Sequence, residues 1–110
     1  MKHVVLKDLP SKELLPGISL RSIHLDKVMV TFVDLEEGAL VPPHRHPHEQ
    51  ISLIISGSLL YNVEGEAKLV RAGEAVLVPA DAEHSVSVLD GPVLAYDVFH
   101  PVREDYIFDR

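Results

Sequence analysis

The sequence predicts an all-β fold, a barrel or sandwich of short antiparallel strands, on three observations. Apolar runs rich in Val, Ile and Leu recur at intervals of about ten residues. Gly and Pro stand between them as turn formers. No stretch longer than a turn carries the 3.6-residue periodicity of an amphipathic helix. At 110 residues the chain is read as one domain with a thin core. It divides into an N-terminal arm (1–17), a barrel (18–100) and a charged tail (101–110).

In order, His3–Leu6 reads as a short strand, and Pro10 and Pro16-Gly17 break the arm. Ile18–Ile23 opens with the alternation of a half-buried strand. Val28–Leu35, rich in β-branched residues, reads as a more buried one. Glu36-Glu37-Gly38 turns the chain, and Pro42-Pro43 suggests a rigid loop. Gln50–Ile55 is a strand ended by Gly57. Ser58–Val63 and Glu66–Val70 flank Glu64-Gly65, a two-residue hairpin signal. Ala75–Val78 is a buried strand stopped by Pro79. His84–Leu89 and Val93–Phe99 flank Asp90-Gly91, which reads as another hairpin turn. In the tail, Tyr106, Ile107 and Phe108 are available to pack.

Composition narrows the function. Ten basic against 17 acidic residues give a formal charge of −7. That excludes nucleic acid and anionic membrane surfaces, which need clustered Lys and Arg. With no cysteine, thiolate metal sites, disulfides and cysteine nucleophiles are ruled out. No run has signal-peptide or transmembrane character, so a cytoplasmic location is expected.

The chemistry is concentrated in His44-Arg45-His46-Pro47-His48-Glu49-Gln50. Imidazole suits Zn, Cu, Fe and Ni, and residues two apart on an extended segment point the same way. His44 and His46 can therefore share one ion. His84, which follows the turn-forming Pro79–Glu83 and opens a strand, is a third candidate ligand. Alternation alone leaves both His48 and Gln50 open as a fourth. A two-residue Asp90-Gly91 turn would pair His84 with Asp97 and aim both at one pocket. Asp97 lies among Leu94, Ala95, Val98 and Phe99, a costly place for an unpaired carboxylate. Arg103 is its nearest cation in sequence, with a surface pair to Glu104 or Asp105 as the competing reading.

These spacings resemble the cupin superfamily of small jelly-roll β-barrels. Gly38, His44, His46, Gln50 and Gly57 fall on its first motif, with Gln50 in the usual Glu position. Gly73, Pro79 and His84 fall on the second, with Asp81 and Val88 replacing its Gly and Asn. The resemblance implies a divalent transition metal (Ni, Zn, Fe or Mn) on His44, His46 and His84. A narrower likeness, carried by His44–Gln50 and by the later Tyr96-Asp97-Val98-Phe99 with Pro101, Arg103, Glu104, Asp105 and Tyr106, is to the pectin-degradation cupins of the KdgF-like family. That likeness makes Gln50 the fourth ligand and places Asp97 and Arg103 in the active site. It implies ring opening of 4,5-unsaturated galacturonate, or a related anionic sugar acid, to a linear keto acid. Three imidazoles and an amide leave the ion's charge uncompensated, which suits Lewis-acid chemistry better than a trivalent oxidised state. On this reading Asp97 carries a proton and Arg103 clamps the substrate carboxylate. An Fe(II) cupin dioxygenase and a non-catalytic sugar- or metal-binding cupin are the alternatives. Exposed sheet edges and an arm that could cross to a second subunit imply a homodimer.

Overall fold

The computed structural model describes residues 1–108; Asp109 and Arg110, the end of the predicted tail, lie outside the described residues. Among the described residues ten strands form two antiparallel sheets that face each other. They are β1 (Lys12–Leu15), β2 (Ile18–His24), β3 (Met29–Leu35), β4 (Leu40–His44), β5 (Glu49–Ser56), β6 (Ser58–Val63), β7 (Glu66–Arg71), β8 (Ala75–Val78), β9 (His84–Ser87) and β10 (Val93–His100). Six make one sheet in the order β1-β2-β3-β10-β5-β8, and four make the other in the order β4-β9-β6-β7. This is a jelly roll with open sheet edges rather than a closed barrel. Helix among the described residues is limited to two single 3-10 turns.

Alternation decides which side chains face inward. On β5 the exposed Glu49, Ile51, Leu53 and Ile55 interleave with the buried Gln50, Ser52 and Ile54. Inward residues of both sheets form the main core, including Ile18, Leu20, Val33, Ile54, Leu59, Val86 and Val93. A smaller cluster of Met29, Phe99 and Val102 lies under the tail, with Tyr106 and Ile107 packed on it. The Glu64-Gly65 turn forms as read, with φ of +50° and +81° and Val63 paired to Glu66. Two positive φ values are what a tight turn of this hand needs. Gly57, at φ +80°, lets the chain pass from one sheet to the other. A Cβ there would lie 2.4 Å from the Pro92 carbonyl oxygen.

Four local expectations are corrected. His3–Leu6 is not a strand, because no neighbouring strand takes up its backbone; a 3-10 turn at Leu6–Asp8 follows instead. The arm does contain a strand, β1, which folds back on β2 through Pro16-Gly17. Pro42 and Pro43 lie within β4 rather than a loop. β4 is an edge strand, where missing N–H donors cost little. Asp90-Gly91 is not a hairpin turn: β9 pairs with β4 and β6, whereas β10 lies between β3 and β5. Gly91 instead allows a close crossing, since a Cβ there would meet the Glu37 nitrogen at 2.5 Å. Asp97 is therefore opposite Thr31 and Ser52, not His84.

Candidate metal centre

The three histidines converge from two elements and a loop. His44 ends β4 and His84 begins β9, and the two are cross-strand partners with ring centroids 4.1 Å apart. His46 reaches in from the loop before β5, its centroid 4.9 Å from that of His84 and 5.7 Å from that of His44. One ring nitrogen from each lies within 4.8 Å of the others, a grouping that could hold a metal ion.

Hydrogen bonds preset the rings. Each donates from Nδ1 to a backbone carbonyl two residues away: His44 to Pro42 at 2.9 Å, His46 to His48 at 3.1 Å, and His84 to Ala82 at 2.9 Å. With the proton fixed on Nδ1, the lone pair of each neutral ring is on Nε2. Metal-binding imidazoles are oriented in this way by their outer partners. The His84 Nε2 is buried without a hydrogen-bond partner among the described residues. Burial pushes the His84 ring down to about 4 and lowers His46 as well, with Arg103 adding to the His46 effect. Both are thus neutral near pH 7, the form that binds metals.

Gln50 faces His46 from β5. Its Nε2 donates to Ser52 Oγ at 3.1 Å and to Tyr61 OH at 3.3 Å. Its Oε1 then points at His46 Nε2, 3.0 Å away. A neutral His46 ring has one proton for two facing oxygens, so with Nδ1 donating to His48 the Nε2 and Oε1 lone pairs face each other, and a cation bound by both relieves that contact. The orphaned His84 nitrogen and this acceptor pair show that the residues fit a divalent ion.

Asp97 and Arg103 border the same cavity. It has a volume of about 110 Å³ and is lined by His44, Gln50, Ser52, His84, Asp97 and Arg103 toward its polar end, with aliphatic side chains beyond. Asp97 enters through β10, which brings it beside Ser52. Burial raises its carboxyl to about 6, while hydrogen bonds from Ser52 and Gln50 and the Arg103 charge oppose that rise. Arg103 stacks over Tyr106, 4.0 Å from ring centroid to Cζ, and over Phe99 at 5.4 Å. Its Nη2 donates to Asp105 at 3.1 Å, the surface pair that was the competing reading of the sequence, while toward Asp97 it acts as a nearby charge. Asp105 is largely exposed, which makes that pair a weak tether. His48 lies behind His46, ring centroids 5.3 Å apart, and packs toward Phe99. It is not in the three-histidine grouping.

Ser52 and Tyr61 were missed by the sequence reading. Ser52 shares Gln50's face by alternation and could have been found. Tyr61 comes from the opposite sheet, and its OH lies 2.9 Å from Ser52 Oγ. Burial and the Asp97 charge hold its phenol well above the ordinary range, so it stays a donor.

Comparison with known proteins agrees with this architecture. The cupin-domain family profile matches residues 31–99. The pectin degradation protein KdgF of Dickeya dadantii is 30% identical over 108 residues, covering 96% of this chain and 98% of that one. The structure of KdgF from Halomonas sp. superposes with a TM-score of 0.91 at 27% identity, over 97% of this chain and 99% of that one. An RmlC-like cupin from Shewanella frigidimarina also gives a TM-score of 0.91, at 24% identity over 97% of both chains, and shares the fold. With fold, motifs and full-length similarity in agreement, the chain belongs to the cupin family, in the group represented by the pectin degradation protein KdgF.

Proposed function

We propose that this chain opens the ring of a 4,5-unsaturated galacturonate, or a closely related uronate, to the linear 4-deoxy-5-keto acid. A divalent transition metal would be held by His44, His46, Gln50 and His84. When bound, such an ion supplies Lewis-acid polarisation of a substrate oxygen. The observation that carries the reading is the carboxyl of Asp97, raised to about 6, in one small cavity with His44, Gln50, His84 and Arg103. Similarity to a pectin degradation protein supports the substrate class.

The reaction is an isomerisation. The anomeric hydroxyl loses its proton, and the bond between C1 and the ring oxygen breaks. C1 becomes an aldehyde, and the released enolate takes a proton at C4 to become the ketone. Protons balance, and no electron acceptor is needed. Asp97 accepts the first proton and returns one at C4, a role suited to a group titrating near neutrality. The Ser52 hydroxyl, which accepts from Gln50, donates to Asp97 and steadies it. Arg103, stiffened by Phe99 and Tyr106, binds the substrate carboxylate and exchanges its exposed Asp105 partner for it. These local cations let an acidic protein take an anionic sugar.

The test is incubation of metal-loaded protein with unsaturated galacturonate while its absorbance and dissolved oxygen are followed together. Loss of absorbance above the protein-free rate, with no oxygen uptake, is expected. Oxygen consumption would make the protein a dioxygenase, and binding without turnover would make it a sugar-binding cupin.

A further inference from the structure

One inward row of the six-stranded sheet is polar. The register aligns Ser22, Thr31, Asp97 and Ser52 across β2, β3, β10 and β5. Cross-strand partners share a side, and Thr31, Asp97 and Ser52 all line the cavity. Three of the four have a clear role. Ser52 is hydrogen-bonded to Gln50 and Tyr61 and steadies Asp97. Ser22 donates to the backbone carbonyl of Tyr106, the residue on which Arg103 stacks. Asp97 is the proposed proton carrier. Thr31 has no such role. It is 0% exposed, and its Oγ1 is buried without a hydrogen-bond partner among the described residues. An unpaired buried hydroxyl destabilises a fold, and valine, of nearly the same shape and a good strand former, would avoid that cost. A partner that arrives with the ligand accounts for a polar group kept at this position.

We propose that Thr31 is a specificity residue whose hydroxyl donates to the C3 hydroxyl oxygen of the sugar acid. This rests on the ring-opening reading and on where that reading anchors the ring. C1 faces the three histidines, and the carboxylate on C5 faces Arg103. The C2 hydroxyl lies next to C1, on the metal side. Opposite C1 in the ring is C4, which carries no oxygen and takes its proton from Asp97. Its neighbours are C5 and C3, so C3 bears the one polar group left on the far side. Thr31 is on β3, two strands and about 10 Å across the sheet from β5, which carries Gln50. It adjoins Asp97 on the side away from Ser52. Thr31 is thus placed beside Asp97 as C3 is placed beside C4.

The test compares metal-loaded Thr31→Val and Thr31→Ser with the parent, on unsaturated galacturonate and on its 3-deoxy analogue. Thr31→Val should raise KM for the uronate about 10-fold and change kcat less than about 2-fold. Thr31→Ser keeps the hydroxyl and should return KM to within about 2-fold of the parent. On the 3-deoxy analogue the parent should already show the raised KM, and Thr31→Val should add nothing to it. Without metal or substrate, Thr31→Val should unfold at a higher urea concentration than the parent, because an unpaired hydroxyl has been removed. An unchanged KM in Thr31→Val, the same loss on both substrates, or a lower urea midpoint overturns the proposal. Equal KM values for the uronate and its 3-deoxy analogue on the parent overturn it without any variant. A parent protein with no turnover of the uronate fails the ring-opening reading and this proposal together, which separates that case from a failure of Thr31 alone.

Discussion

Replacing Asp97 with Asn should lower activity while making the metal-free fold more stable at neutral pH. The carboxyl is raised from an ordinary value of 3.8 to about 6, first by burial, against the opposing hydrogen bonds of Ser52 and Gln50 and the charge of Arg103. A raised folded value means that the native state holds this proton more tightly than the unfolded chain does. Below about pH 4 both states are protonated and nothing is lost. As pH rises through 4 to 6 the unfolded carboxyl ionises first, and native stability falls. Above about pH 6 the full cost is present. At about 1.4 kcal/mol per pH unit it reaches on the order of 3 kcal/mol, and less where water reaches the group. Asn cannot ionise, so this pH-dependent cost disappears. Urea unfolding of chelator-treated parent and variant at pH 4.5 and pH 8 separates the effect from any constant change in hydrogen bonding. The advantage of the variant should grow by about 2 kcal/mol between the two pH values, the first ~1 kcal/mol being already present at pH 4.5. The same variant, reloaded with metal, should lose about 10²-fold or more in kcat if proton transfer is its role. A stability difference that does not change with pH would refute the raised carboxyl, and unchanged turnover would remove Asp97 from the chemistry.

Three further outcomes are expected around the centre. His46→Ala should abolish binding of the divalent ion as read by metal analysis after dialysis, whereas His48→Ala should retain it; the opposite pattern would exchange their roles. Tyr61→Phe removes one of the two acceptors that hold the Gln50 amide in place, and should weaken metal affinity about 10-fold in a chelator competition, with the strand spectrum unchanged. Arg103→Lys keeps the charge but loses the planar fork, and should mainly raise KM for the free uronate while leaving its methyl ester nearly unaffected. Equal losses on acid and ester would show that Arg103 does not read the carboxylate.

The parts of the fold set by local pattern were legible in the sequence. Alternation in Gln50–Ile55, the β-branched run before Leu35 and the Glu64-Gly65 turn each depend on neighbours along the chain, and each is found in place. What was not legible depends on neighbours across the sheets. The Asp90-Gly91 dipeptide looks like a turn, but the space beside β10 is taken by β3 and β5, so the chain crosses to the other sheet. Asp97 still faces the cavity, through its Ser52 and Thr31 partners and not through His84. The prolines before His44 were read as a loop because their edge position appears only once strand order is known. The convergence of His44, His46 and His84 was legible from spacing and motif together. The role of Tyr61 was not, because its reach to Gln50 is set by the distance between sheets.

The most direct test of ring opening is proton NMR of unsaturated galacturonate incubated with the metal-loaded protein. The account predicts that the C4 vinyl signal disappears at the protein-catalysed rate, replaced one for one by methylene signals of the linear 5-keto acid. The rate should fall to the uncatalysed level when the ion is removed by chelation and return when it is restored. A vinyl signal that persists with fully loaded protein, or a product that retains the closed ring, would contradict the account.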